Sequence, residues 1–122
     1  MTLRRLAALQ WLGLLLGAAV WAVQHIVGWG TTEASCDSAG LNVNNDLLQA
    51  VFMGVAGALI VAAAAAAVTV LLNTRDTSYE DEPPASRVRF FAIAALAADC
   101  IFLMIVLLDG FASIFDIACR QA

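Results

Sequence analysis

Three long apolar runs leave this chain few ways to fold, and the last of them says most. Residues Phe90 to Phe111 read FFAIAALAADCIFLMIVLLDGF. A helix needs about 20 mostly apolar residues to cross the hydrocarbon core of a bilayer, and this run supplies them. Two acids interrupt it, Asp99 near the middle and Asp109 near the far end. A carboxylate at bilayer depth costs roughly 2.5–3.5 kcal/mol on insertion scales, so such a side chain is expected to face protein, water or a partner. With two earlier runs of similar character, the expected fold is all-α. It consists of three transmembrane helices over about 6–28, 47–72 and 90–115, in a single membrane domain covering 1–122.

Composition agrees. Hydrophobic residues make up 62% of the 122, more than a water-soluble fold of this size can hide. The spans and their connections use almost the whole chain and leave no room for a soluble catalytic domain. The formal charge of −4 is modest, and the basic residues are all Arg without a patch. The composition therefore implies a lipid bilayer and no nucleic-acid partner. The opening MTLRR looks like the start of a signal peptide, but the following run continues to about Val27, longer than a usual signal core. It reads as a first span.

In that span Gly13, Gly17, Trp21, Gln24 and Gly28 follow helical spacing, and Gly13 and Gly17 form a GxxxG. Small residues so spaced let a second helix approach closely, although the pattern also arises by chance in spans rich in Gly and Ala. Trp29 is placed for an interfacial aromatic belt. Residues 31–46 are polar and read as an extramembrane loop, ending in the N-cap cluster Asn44-Asn45-Asp46. Span two is dominated by Gly and Ala, with Gly54 and Gly57 as candidate packing positions and six alanines at 62–67. Residues 73–89 form the second loop, with Pro83-Pro84 and the solvated acids Glu80, Asp81 and Glu82.

Five of the six arginines (Arg4, Arg5, Arg75, Arg87 and Arg89) flank one side, and only Arg120 lies on the other. The positive-inside rule then makes the N-terminus and the 73–89 loop cytoplasmic. The 31–46 loop and the C-terminus are periplasmic or extracellular. Cys36 and Cys119 both fall on that outer side, in an oxidising compartment if the membrane is bacterial, and are expected to form a structural disulfide. Cys100, in mid-span, reads as a small apolar residue.

Three polar side chains remain as a candidate intramembrane site. His25, the one histidine, lies about 12 Å outward of the centre of span one at 1.5 Å per residue. Asp109 lies at nearly the same height on span three, so the two either pair or reach headgroups separately. Asp99 sits near the midplane behind a stripe of Ala92 and Ala95. It is either a proton-relay or cation site or a protonated, uncharged Asp hydrogen-bonded to a neighbour. Gln10 is equally open.

The pattern resembles a group of small three-span bacterial membrane proteins often encoded beside haem-copper cytochrome oxidase components. The likeness rests on Gly17 to Trp21, the following Gln24-His25, Trp29, Cys36 just outside, and a last Cys at 119. The chain departs from it with Ala18 where Pro is frequent and Trp at 29 in place of Tyr. The resemblance implies an accessory, non-catalytic subunit of a respiratory membrane complex in the bacterial inner membrane, a terminal cytochrome oxidase or its supercomplex. Its partners would be larger membrane subunits holding any haem and copper, with no cofactor of its own. A small transporter or proton-conducting protein using Asp99 is the alternative. An assembly factor handling copper or thiols is weaker, since the chain lacks a CxxC and Met-rich or His-rich motifs.

Overall fold

The computed structural model describes residues 2–36, 45–78, 80 and 82–114. Among these, the regular structure is α1 (Leu3–Cys36), α2 (Asn45–Asn73) and α3 (Ala85–Ile114). All three are long and apolar enough to cross a membrane. In hydrocarbon every backbone N–H and C=O must be satisfied within the segment, and the helix does that locally.

Named contacts set the topology. Gly28 meets Gln49 and Gly13 meets Ala67, so α1 and α2 are antiparallel. Gly57 meets Leu103 and Gly110 meets Met53, which makes α2 and α3 antiparallel as well. Gly17 with Asp99, and Trp11 with Phe91, place α1 and α3 side by side and parallel. Each helix packs on both others.

The bundle is inside-out relative to a soluble protein. Its interior line on α2 is Gln49, Ala56, Ile60, Ala63, Ala67 and Val70, continued by Thr74 just past the helix end. On α3 it is Val88, Ala92, Ala95, Asp99, Val106 and Gly110. On α1 it is Leu6, Gln10, Gly13, Gly17, Gln24, Gly28 and Thr32. The steps of three, four and seven are those of a left-handed seam. Small and polar residues fill it, while large side chains such as Leu15, Ile26, Leu72, Ile101 and Leu108 point outward. Lipid tails are as apolar as leucine, so the interior gains from close backbone approach and from satisfied polar groups rather than from sequestering bulk. Two apolar clusters bracket the middle: Leu6, Val70, Val88 and Ala92 at one end, and Ala56, Ile60 and Val106 towards the other.

Both loop boundaries differ from the sequence expectation. Helix α1 continues through the first six residues of the segment read as outer loop. The Thr31 hydroxyl donates to the carbonyls of Val27 and Gly28 at 2.9 and 3.0 Å, and that of Thr32 to Gly28 at 2.9 Å. The Gln49 amide donates to the Gly28 carbonyl at 3.0 Å and to Thr31 Oγ1 at 2.9 Å. Threonines that would favour a loop in water are thereby tied back onto the helix. Helix α2 begins at Asn45, two residues before the expected Leu47, and α3 begins at Ala85, directly after Pro84. Proline at that boundary suits a helix start, where its missing N–H is no loss. At this end Arg89 reaches across from α3 and donates to the carbonyls of Thr74 and Arg75, which follow the last turn of α2. A cation there also favours the negative end of the helix dipole.

Candidate intramembrane polar site

Asp99 stands on the interior line of α3, against Gly17 of α1. It is 1% exposed, and neither carboxyl oxygen has a hydrogen-bond partner among the described residues. The small-residue stripe beside it is fully buried at Ala92 and Ala95. Across from it on α1 is Gly17. Any side chain at 17 would put its Cβ onto Oδ1 of Asp99. The glycine is therefore the hollow that receives the carboxyl, and the two positions form one steric unit.

The GxxxG pair thus divides its work between two partners. Gly17 admits Asp99 of α3, while a Cβ at Gly13 would come within 3.2 Å of the Ala63 carbonyl oxygen and 3.3 Å of the Ala67 Cβ, both on α2. Gly57 is in ordinary contact with Leu103, but Gly54, expected in a helix contact, faces outward with nothing within 4 Å of a Cβ built on it. The close approach on that side belongs instead to Gly110 of α3, where a Cβ would come within 2.9 Å of the Met53 Cβ. Sequence reasoning passed over Gly110 because no second small residue stands four positions away in helical register to mark it.

His25 and Asp109 come together. Nδ1 of His25 lies 3.0 Å from Oδ2 of Asp109, hydrogen-bond length for a ring N–H donating to a carboxylate. Their side chains are 54% and 33% exposed, so the pair stands at the outer surface of the α1–α3 seam rather than inside it. Trp21 backs it. Its ring stacks on His25 with centroids 5.9 Å apart and on Phe102 at 5.6 Å. The Trp21 indole N–H is buried without a hydrogen-bond partner among the described residues.

Gln49 is the polar residue that sequence reasoning missed. It is fully buried and fastens α2 to the Gly28–Thr32 turn of α1. Its amide in an apolar run was the available signal. Gln10 and Gln24 are also buried. Cys100 is a free thiol exposed on the outer face of α3. Cys36 ends α1, and Cys119 lies outside the described residues, as does any link between them. Among the described residues no three His, Cys, Asp or Glu side chains converge as metal ligands would.

Compared with protein-family models, curated proteins and solved structures, the chain matches none, so no relative ties it to cytochrome oxidase components.

Proposed function

We propose that this multi-pass membrane protein is a non-catalytic accessory subunit, docking against a larger membrane subunit through the α1–α3 face that carries His25 and Asp109. One observation carries the reading. The pair is half-exposed, about 12 Å from the middle of span one, inside a hydrocarbon half-thickness of about 15 Å. A polar pair facing acyl chains at that depth is costly, and a polar group on a partner helix would remove much of that cost. The Gly13–Gly17 face is consumed within the bundle, so it is not what a partner would meet. The choice of a respiratory complex, a terminal oxidase above all, rests on the sequence resemblance. The inside placement of the N-terminus, in a bacterial cytoplasmic membrane, rests on the arginine bias.

Mild-detergent purification from native membranes, with mass identification of partners and haem absorbance, tests this. The expected result is recovery with a larger membrane subunit. The His25→Leu variant should lose at least about tenfold in recovery, since removing one partner of a pair buried at an interface, and leaving the Asp109 carboxylate unmatched there, costs on the order of 2–5 kcal/mol. Recovery of the native chain alone, or equal recovery of the variant with its helices intact, would refute docking through this face.

In the same preparation Cys36 and Cys119 are expected to be linked. Alkylating denatured, unreduced protein should then label Cys100 alone, and three labelled cysteines would dispose of the link.

A second reading, a small transporter or proton-conducting protein, is favoured by the Asp99 carboxyl, buried without a hydrogen-bond partner among the described residues. Asp99→Asn separates the two. For an accessory subunit, turnover and proton movement of the parent complex should stay nearly unchanged. A large loss of proton movement with assembly intact would replace the accessory reading with the conducting one.

A further inference from the structure

The sequence scatters its arginines, but the parallel pairing of α1 and α3 gathers two of them at one end of the bundle. Below them the Trp11 and Phe91 rings stack across the α1–α3 seam with centroids 6.2 Å apart, and Phe90 packs edge-on against Phe91 at 5.6 Å. All three rings face outward, with Trp11 51%, Phe90 58% and Phe91 36% exposed. Arg4 precedes Trp11 by seven residues and Arg87 precedes Phe91 by four, steps that keep residues on one face of a helix. Both arginines are exposed, so each helix carries one guanidinium above its ring. An open hollow of about 460 Å³ lies against Ser86, Arg87, Phe90 and Phe91.

Depth separates the charges from the rings. Counting 1.5 Å per residue from the Gly17–Asp99 contact at mid-membrane, Trp11 and Phe91 lie about 9 and 12 Å from the midplane, and Arg87 and Arg4 about 18 and 20 Å. The hydrocarbon ends about 15 Å from the midplane and the headgroup layer at about 20–22 Å. The rings therefore stand among the acyl chains and the guanidinium groups among the headgroups. The acids of this end, at 76 and 80–82, belong to the connection between α2 and α3, and Asp76 faces Arg75 at 3.5 Å. Arg89 is turned the other way, onto the carbonyls that follow α2.

We infer that this end of the seam binds an anionic phospholipid, its phosphate between Arg4 and Arg87 and the upper part of its acyl chains against Trp11, Phe91 and Phe90. A guanidinium fork matches phosphate oxygens two at a time, and basic pockets between membrane helices suit anionic headgroups. A zwitterionic lipid offers the same phosphate but brings a quaternary ammonium to a place that already holds two positive charges. The site shares its seam with His25 and Asp109 but lies in the other leaflet, fourteen residues from His25 along α1, about 21 Å. It does not rest on the docking proposed above.

Photolabelling of the full chain, reconstituted alone in phosphatidylcholine bilayers, tests the inference. The probes are phosphatidylglycerol and phosphatidylcholine, each with a diazirine on the upper part of one acyl chain and present in trace amounts. The anionic probe is expected to label Trp11, Phe90 and Phe91 at least about tenfold more than the zwitterionic one. Arg4→Gln and Arg87→Gln should each lower that labelling about fivefold, the effect of one arginine at an anionic headgroup. Labelling of Ile26 and Leu108, exposed at similar depth in the other leaflet, should not change. The variant carrying Arg4→Lys and Arg87→Lys keeps the charge and should keep most of the labelling, which separates lost charge from lost fold. Equal labelling by the two probes in the native chain overturns the proposal, as does undiminished anionic labelling when both arginines are replaced by Gln. It also fails if Arg75→Gln, at the same end but off this seam, lowers the labelling as much. Because no partner is present, failure here leaves the docking face untouched.

Discussion

Replacing Gly17 by Leu should force α1 and α3 apart at the middle of the membrane, at a cost of about 3 kcal/mol, the upper part of the range for overpacking a fitted interior. The reason is local. The space a side chain at 17 would need is already held by the Asp99 carboxyl, with a Phe102 ring carbon 3.5 Å from the same point. Gly17→Ala is the more discriminating change, because its methyl meets mainly the carboxyl. It should lower stability measurably in the native background and cost little in Asp99→Ala, where the obstructing oxygen is gone. Equilibrium unfolding of the four proteins in mixed detergent micelles forms a double-mutant cycle. If Gly17→Ala costs the same in both backgrounds, the two positions are not a steric unit and α1 does not receive the carboxyl at Gly17.

The second large effect has the opposite sign. Asp99→Ala should stabilise the isolated bundle by about 1–3 kcal/mol, the cost of leaving a buried polar group without its hydrogen bond. The new residue continues the stripe of Ala92 and Ala95, both fully buried. Unfolding measurements on the same set of proteins read this directly. Destabilisation by more than about 1 kcal/mol would mean that the carboxyl has a partner inside the bundle after all. A stabilised Asp99→Ala protein that assembles normally would show the acid to be retained at a cost to the fold. In that case its use lies in contact with something outside this chain, or in carrying a proton, and Asp99→Asn in the parent complex tells these apart.

Much of the architecture was legible in the residues. Three apolar runs of bilayer length, broken by polar segments, specify three helices, because hydrocarbon leaves a lone segment no other way to satisfy its backbone. Asp99, in mid-run, was expected to face protein, water or a partner rather than lipid for the same dielectric reason, and the bundle interior receives it. Counting 1.5 Å per residue placed His25 and Asp109 at one height, and their 3.0 Å separation agrees with that count.

Which neighbour each marked face meets was not legible, because a stripe of small and polar residues shows where a helix can be approached closely without saying which helix approaches it. Only the packed bundle decided that Gly13 serves α2 and Gly17 serves α3, that Gly54 faces outward, and that Gly110 makes the close approach instead. The same holds for Gln49, whose bonds to Gly28 and Thr31 extend α1 past the expected loop boundary. Hydropathy measures transfer from water to lipid, and that is enough to insert a helix and set its depth. Rotation about the helix axis is settled afterwards, among helices already in lipid, by sub-ångström differences in backbone approach and by which polar groups find partners.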